Sequence, residues 1–239
     1  MKKKTSFMAA VLSMSLLLSG CGNMNNATKG GILGGGGGAI LGGVIGAIAG
    51  KGKGAAIGAA IGGAVGTSAG VLIGRKMDKA AQAAKNIEGA QVEQVTDNNG
   101  LQAVKVTFDS GILFNSGSSA LSNSAQTSLS KFAREVLGQN KDMDVAIYGY
   151  TDNQGWRGAN ATQSAQKNLE LSQQRAQSVS TYLRNAGVSN TQITLVEGMG
   201  EANPVADNST AEGRKENRRV EVYLYASSKM IQAAENGTL

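Results

Sequence analysis

The sequence predicts an α/β protein whose carboxy-terminal part is a sandwich with the element order β-α-β-α-β-β, preceded by a helical hairpin built on a glycine repeat. Two observations predict the sandwich: apolar residues alternate with polar ones in short runs, and they recur at helical spacing between those runs. A third predicts the hairpin, because glycine stands at every fourth position from Gly30 to Gly74. The 239 residues are enough for one sizeable core or two small units.

The predicted elements of the sandwich begin at residue 104. The first strand is indicated by Val104, Val106 and Phe108, which alternate with the polar residues Lys105 and Thr107. The elements in order are a strand at 104–108, a helix at 125–136, a strand at 143–147, a helix at 171–186, and strands at 191–197 and 219–225. Together they form one layered unit of helices packed on a sheet.

The composition excludes several functional classes. The chain contains no His and a single Cys, so it has no Ser-His or Cys-His catalytic pair, no His-ligated metal site and no internal disulfide. Its net charge of +6 does not indicate nucleic-acid binding, because residues 1–89 carry 10 Lys/Arg against 2 Asp/Glu, whereas residues 90–239 carry 13 against 15. The part with the pattern of a folded domain, residues 90–239, is therefore slightly acidic. No motif in it indicates a metal or a cofactor, and we expect neither.

The amino-terminal segment is typical of a secretion signal, with a basic start at residues 2–4 and a short apolar core at residues 7–18. The next tetrapeptide, Leu18–Cys21, resembles the lipobox of bacterial lipoproteins. That resemblance implies cleavage before Cys21, acylation of Cys21 and, because Gly22 follows it, sorting to the outer membrane. Its acyl chains exceed the two signals that stable anchoring needs. The alternative is an ordinary signal followed by a free or buried Cys21.

Residues 30–74 contain 19 of the 34 glycines. In a helix, positions four apart lie on one face, so this repeat leaves a bare strip that another backbone can approach closely. Lys51 and Lys53 divide the segment into two uncharged runs, 30–50 and 54–74, each long enough to cross roughly 30 Å of hydrocarbon. Glycine inside a helix costs about 1 kcal/mol relative to Ala, so only packing between the runs or between chains stabilises it. The pattern resembles the glycine-zipper hairpins of some envelope lipoproteins; the alternative is a flexible linker.

Four stretches of the predicted sandwich resemble the C-terminal domain of outer-membrane protein A and the peptidoglycan-associated lipoprotein. They are Leu113–Leu121, Gly149–Asn153, Asn168–Ala176 and Gly213–Glu221. Each stretch is weak evidence alone, and their order along the chain makes the signal specific. With a lipobox and a glycine repeat in front, the chain looks most like the YiaD type of that family. The resemblance implies a module that binds peptidoglycan.

Two charged residues are expected to meet at one edge of the sheet, independently of the resemblance. Asp152 lies just past the strand that ends at residue 149, and the connection that follows returns the next helix to the same edge. Arg175 shares the apolar face of Leu171 and Val179, so its guanidinium is directed inward and needs an anionic partner. Two interpretations stay open: a structural ion pair between Asp152 and Arg175, or a site in which Asp152 binds the ammonium and Arg175 the carboxylate of one zwitterionic ligand.

The resemblance identifies the ligand as the diaminopimelate of peptidoglycan stem peptides. By position in the family's motifs, Thr151 and Asn168 are expected to line the same pocket. Arg218 opens the last strand and either reaches this edge or is a solvated Arg beside Arg219.

Two departures from the family concern details of the pocket. Asp152 and Arg175 are 23 residues apart, which is farther than the family leads us to expect, so residues 156–160 are expected to form a loop near the pocket. Asn115 stands where the family often has Asp, which removes one negative charge.

The expected organisation has six segments. They are a signal peptide at 1–20, a lipidated tether at 21–29, a membrane-associated glycine-zipper hairpin at 30–74, a helical connector at 75–90, a peptidoglycan-binding domain at 91–228 and a tail at 229–239.

The favoured function is that of a lipid-anchored, periplasm-facing outer-membrane protein that ties this membrane to peptidoglycan without being an enzyme. One alternative is a membrane-assembling protein, oligomeric through its glycine zipper, whose soluble domain only localises it. The other is a cell-wall enzyme that uses a Ser-Lys pair or paired carboxylates. The expected partners are peptidoglycan, the membrane and a second copy of the chain, and not nucleic acid.

Overall fold

The computed structural model describes residues 67–96 and 101–239. It contains five strands and six α-helices in these ranges: α1 (Thr67–Lys85), β1 (Ala90–Thr96), β2 (Gln102–Asp109), α2 (Ser110–Leu113), α3 (Asn123–Phe132), β3 (Met143–Gly149), α4 (Ala161–Asn185), β4 (Ile193–Gly198), α5 (Ala211–Asn217), β5 (Arg219–Ala226) and α6 (Ser228–Glu235). A single π-helical turn, Ala133–Leu137, extends α3. The predicted lipobox and residues 30–66 of the glycine repeat lie outside the described residues.

The strands form one sheet in the order β1-β2-β5-β3-β4. Strands β1 and β2 form an antiparallel hairpin, β5 runs antiparallel to both β2 and β3, and β4 is parallel to β3. This mixed sheet places the ends of β2, β3 and β4 and the start of β5 at one edge. The loops that follow β2, β3 and β4 therefore meet there.

The helices cover one face of the sheet and enclose the main core. Strand residues that alternate toward this face, such as Val106, Ile147 and Val222, are fully buried, as the sequence pattern predicts. They pack with Met77 of α1 and Leu129 of α3 in one continuous apolar cluster. The strands and helices predicted for the sandwich are thus all present, and the α/β class is confirmed.

The opposite face of the sheet is aromatic and charged. Tyr148 and Tyr223 contact each other edge to face with ring centroids 5.8 Å apart. On the same face the Arg219 guanidinium lies 3.8 Å from the ring centroid of Tyr150 and donates to Glu221 at 2.7 Å. Burial raises the pKa of all three tyrosines, so they are neutral at physiological pH.

Four elements of the structure are absent from the predicted order. Strand β1 precedes the first predicted strand, the short helix α2 follows that strand, α5 lies between the last two strands, and α6 occupies most of the predicted tail. The tail prediction is wrong because Met230, Ile231 and Ala234 of α6 are buried in the main core. Strand β1 and helix α5 carry few apolar residues, which is why alternation and helical spacing did not indicate them.

Helix α1 changes the predicted boundary at residue 74. It runs without a break from the end of the glycine repeat to Lys85, within the predicted connector at 75–90, and Ala69, Ile73 and Met77 are buried in the core of the domain. Residues 67–74 therefore belong to the domain, and the domain begins well before residue 91. The remainder of the second apolar run, 54–66, lies outside the described residues.

Candidate peptidoglycan-binding site

The candidate site lies at the sheet edge where β3 and β4 end. Helix α4 approaches this edge closely, because a Cβ at Gly149 would overlap the carbonyl oxygen of Ser172, and one at Gly198 would overlap the backbone of Gln173. Glycine at both strand ends thus lets the backbone of α4 rest directly on the sheet. The same contact brings the side chains of α4 to the loops after β3 and β4.

The start of α4 is fixed by a capping box. The Asn160 side chain accepts a hydrogen bond from the backbone N–H of Gln163 at 2.9 Å, and the Gln163 side chain accepts one from the backbone N–H of Asn160 at 3.0 Å. This box ends the long loop after β3. It sets the register with which Asn168 and Arg175 face the site.

Asp152 forms an ion pair with Arg218. One carboxylate oxygen of Asp152 accepts from Nη1 of Arg218, and the other accepts from the backbone N–H of Gln154 at 3.0 Å. The Asp152 side chain is 9% exposed, whereas that of Arg218 is 36% exposed. Arg218 thus reaches this edge of the sheet, and the alternative of a purely solvated Arg218 is wrong.

Arg175 is 3% exposed and is held by the loop after β2. Its Nε donates to the carbonyl oxygen of Ser118 at 3.0 Å, and its guanidinium carbon lies 5.2 Å from the ring centroid of Phe114. Among the described residues, its two terminal nitrogens have no hydrogen-bond acceptor, and Asp152 is not within ion-pair distance. The predicted alternative of a direct structural pair between Asp152 and Arg175 is therefore wrong.

The charges of Arg218 and Asp152 both act on the pKa of Arg175. Burial and the positive charge of Arg218 lower the pKa of Arg175, and the negative charge of Asp152 acts in the opposite direction. The guanidinium stays cationic, since an Arg is not deprotonated in a protein. Its terminal N–H groups have no acceptor among the described residues, so they are available to an anion.

Asn168 is the hub of the site. Its amide nitrogen donates to Glu201 Oε1 at 2.8 Å, to the carbonyl oxygen of Gln154 at 3.1 Å and, more weakly, to that of Asp152 at 3.5 Å. Its amide oxygen accepts from the indole N–H of Trp156 at 2.7 Å. Asn168 is 4% exposed, and its hydrogen-bonding capacity is largely used, so it positions the surrounding groups.

Thr151 is buried beside Asp152, and its backbone N–H donates to the carbonyl oxygen of Gly200 at 2.8 Å. Its hydroxyl has no hydrogen-bond partner within the described part of the chain. A buried hydroxyl without a partner costs free energy.

Asp152, Arg175, Thr151 and Asn168 were predicted to lie at one sheet edge and Arg218 was left open between this edge and solvent; in the structure all five lie there. It also brings three groups that the sequence analysis did not identify: the Glu201 carboxylate, the Phe114 ring and the Ser118 carbonyl. Glu201 could have been found, because it follows β4, and loops after neighbouring parallel strands lie side by side. The predicted loop at 156–160 does lie at the site, through the bond from Trp156 to Asn168.

The four charges of the site balance. Asp152 and Glu201 carry two negative charges, and Arg175 and Arg218 carry two positive ones. Such an arrangement suits a ligand that has both an ammonium and a carboxylate. Within the described ranges no group of three or more acidic or Cys side chains is arranged to hold a metal ion.

A separate groove of about 590 Å³ lies on the opposite face of the sheet. Its charges are mostly paired internally, with Lys105 to Glu93 at 2.6 Å and Arg219 to Glu221 at 2.7 Å. It does not include Asp152, Arg175 or Asn168, and it is not part of the candidate site. None of the helices in residues 67–96 and 101–239 combines the length and apolar character of a membrane span.

Two family models match the chain. The OmpA family matches residues 113–218, and the YMGG-like Gly-zipper matches residues 1–78. A solved structure described as a putative MotB-like protein from Desulfovibrio vulgaris has a TM-score of 0.55 at 23% identity, covering 66% of this chain and 96% of that one. This likeness supports the fold.

Three curated relatives are similar in sequence. The probable lipoprotein YiaD of Escherichia coli is 36% identical over 94% of this chain and 99% of its own length. The outer-membrane lipoprotein YfiB of Pseudomonas aeruginosa is 38% identical over 50% of this chain and 65% of its own length. The peptidoglycan-binding protein ArfA of Mycobacterium tuberculosis is 46% identical over 35% of this chain, which is 23% of ArfA. Given the match to YiaD over nearly the whole of both chains, the chain belongs to the OmpA-family lipoproteins of the YiaD type, in which a YMGG-like Gly-zipper precedes an OmpA-family domain.

Proposed function

We propose that this protein is an outer-membrane lipoprotein that binds peptidoglycan non-covalently, through the diaminopimelate of the stem peptide, and so ties the outer membrane to the cell wall. The observation that carries the proposal is Arg175, a buried guanidinium with unused terminal N–H groups beside Asp152. A site built this way is complete only with an anion at Arg175.

The free amino-acid head of diaminopimelate fits the site in charge and in donors. Its carboxylate would accept from the two terminal nitrogens of Arg175, in the forked geometry that guanidinium and carboxylate share. Its ammonium would donate to Asp152 and to Glu201. Thr151 supplies a hydroxyl that has no other partner among the described residues, and Asn168 holds the Glu201 carboxylate in place.

Arg218 acts as a counter-ion that the ligand displaces or shares. It forms an ion pair with Asp152 in the free protein, and its side chain, which is 36% exposed, can move into solvent at little cost. Ligand binding therefore exchanges one ion pair for another at Asp152. At Arg175 it adds a contact that was not there before, so Arg175 is expected to contribute more to affinity than Asp152.

The names of relatives support a binding role. Two of the relatives are named as lipoproteins and one as a peptidoglycan-binding protein, and none of the three is named as an enzyme. This favours the binding module over a cell-wall enzyme. It also supports the outer membrane or cell envelope as the location.

The membrane half of the proposal rests on the sequence and on the Gly-zipper match. Cys21 is expected to be acylated, which mass spectrometry of the mature amino terminus would test. The zipper is expected to pack against itself or against a second copy. Because residues 67–74 are part of the domain, a hairpin with two full membrane-crossing arms does not fit, and we restrict the zipper to residues 30–66.

Co-sedimentation of the full-length protein with purified peptidoglycan sacculi tests the proposal. Wild type should co-sediment, and Arg175→Ala should not. A variant that lacks residues 30–66 keeps helix α1 intact and should still bind sacculi. Loss of binding in that variant, with binding retained in Arg175→Ala, would favour the membrane-assembling alternative; release of muropeptide fragments by wild type would favour an enzyme.

A further inference from the structure

The loop after β3 carries the chain's single Trp at the rim of the candidate site. Two hydrogen bonds fix Trp156: its backbone N–H donates to Ser164 Oγ at 3.0 Å, and its indole N–H donates to Asn168 Oδ1 at 2.7 Å. The residue is only partly buried. A large aromatic side chain is thus held rigidly, yet remains partly accessible, next to the hub of the site.

Lys167 lies over this ring, with its ammonium 5.7 Å from the ring centroid. Lys167 is exposed and forms no ion pair with any carboxylate in the described part of the chain. The nearby Arg157, on the same loop as Trp156, is likewise exposed and without a carboxylate partner in the described ranges. Lys167 and Arg157 therefore add two positive charges beside a site whose own four charges balance.

A single amino-acid head is not expected to serve both the rim and Arg175. Lys167 and Arg175 are eight residues apart on α4, which separates their backbones by about 12 Å along the helix axis. Both are cations, and an amino-acid head has only one carboxylate, which Arg175 would use. A ligand that reaches both places must continue beyond the head group and must carry a second negative charge.

We propose that Trp156 and Lys167 form a second subsite, which binds a carboxylate of the stem peptide that flanks diaminopimelate. Trp156 packs against the aliphatic part of the ligand between the two charges and keeps the Lys167 ammonium in place. Asn168 couples this subsite to Asp152 by holding the indole and the Asp152–Gln154 backbone together. This inference rests on the proposed function. It predicts that the site binds stem peptides whose flanking carboxylate is free more tightly than those in which this carboxylate is amidated.

The test is a comparison of ligands by isothermal titration on the full-length protein in detergent. The ligands are free meso-diaminopimelate, the tripeptide L-Ala-γ-D-Glu-diaminopimelate, the same tripeptide with its D-Glu carboxylate amidated, and that amidated tripeptide extended by a terminal D-Ala. Wild type should bind the acidic tripeptide about two- to fivefold more tightly than the amidated one, which is the usual range for an exposed charge pair. If the flanking carboxylate is instead that of the terminal D-Ala, the gain should appear on going from the amidated tripeptide to an amidated tetrapeptide.

The variant Lys167→Gln should remove that preference and leave the affinity for free diaminopimelate unchanged. Lys141→Gln is the matched control, because Lys141 is exposed and precedes β3 at the opposite end of the strand. Trp156→Ala should reduce affinity for both tripeptides and lower the preference between them. The preference should also shrink as salt rises, because the subsite is exposed.

Failure of this inference is distinguishable from failure of the proposed function. If wild type binds none of the four ligands, the diaminopimelate site itself is wrong. If wild type binds diaminopimelate but Lys167→Gln retains the full preference for a free carboxylate, or weakens all ligands equally, only the second subsite is wrong.

Discussion

The most informative substitution in the site is Arg175→Lys, because it keeps the charge and removes the forked geometry. In the free protein Arg175 uses one N–H, which donates to Ser118, and leaves its terminal nitrogens for a ligand. A carboxylate bound by both nitrogens gains two charge-assisted hydrogen bonds, each contributing roughly 1.5–3 kcal/mol. Lysine can retain one of them. The loss of the other corresponds to about a 10- to 150-fold weaker Kd.

The fold is expected to survive this change. Arg175→Ala removes the hydrogen bond to Ser118, the contact with the Phe114 ring and the packing of a buried aliphatic stem, and it relieves the burial of a guanidinium. The net cost is of order 2–4 kcal/mol, which is below a typical stability of about 5–15 kcal/mol. Unfolding in urea, followed by circular dichroism, checks this separately from binding.

The assay is isothermal titration with a diaminopimelate-containing muropeptide. Arg134→Ala is the control, because the Arg134 side chain is 73% exposed and, among the described residues, forms an ion pair only with its neighbour Glu135. It should bind like wild type. If folded Arg175→Lys binds within twofold of wild type, the forked contact does not exist and the reasoning about Arg175 is refuted.

Three further predictions concern the fold. Ile73→Ala should lower the free energy of unfolding by about 2–4 kcal/mol, measured in urea, because Ile73 is fully buried in the domain core; no change would mean that residues 67–74 are separate from the domain. Gly149→Ala should lower the free energy of unfolding by about 1–3 kcal/mol, because the new Cβ overlaps the backbone of α4. Gly70→Ala, whose Cβ meets no neighbouring atom, should be neutral or stabilising. Equal effects of the two changes would contradict the close contact between Gly149 and α4. Burial raises the pKa of Asp144 from 3.8 to about 6, so the free energy of unfolding should fall as pH rises from about 4 to about 6. In Asp144→Asn this fall should be smaller by roughly 1 kcal/mol. An unchanged dependence on pH would show that Asp144 is solvated.

The main strands and helices could be predicted because their burial is periodic. Val104, Val106 and Phe108 alternate toward a buried face, and Leu129 and Phe132 recur at helical spacing. Strand β1 is an edge strand with half-buried Val92 and Val95, so it lacks this signal. Helix α6 contributes only three buried residues over two turns, which is too short a segment for its period to be read from the sequence.

The boundary of the glycine repeat could not be predicted from its spacing. A glycine at every fourth position leaves a bare strip whether the opposing surface is another zipper helix or a sheet. In α1, the residues that face the core are Ala69 and Ile73, which lie beside the glycines and not at them. Only the tertiary packing shows that the last two turns of the repeat belong to the domain.

The site could be predicted in its location but not in its pairing. The ends of neighbouring strands and the face of α4 place Asp152 and Arg175 near each other. The choice of Arg218 as the partner of Asp152 depends on the register of β5 against β3, which no local pattern encodes. For the same reason the role of Asn168 as a hub, bonded to Glu201 and Trp156, was not evident from the motif.

The central claim is that Arg175 binds the carboxylate that distinguishes diaminopimelate from lysine. The most direct measurement is the affinity of the full-length protein for two muropeptides that are identical except for diaminopimelate or lysine at the third stem position. We predict that wild type binds the diaminopimelate form at least tenfold more tightly, and that this preference disappears in Arg175→Ala but persists in Arg134→Ala. Equal affinity of wild type for the two muropeptides would contradict the account.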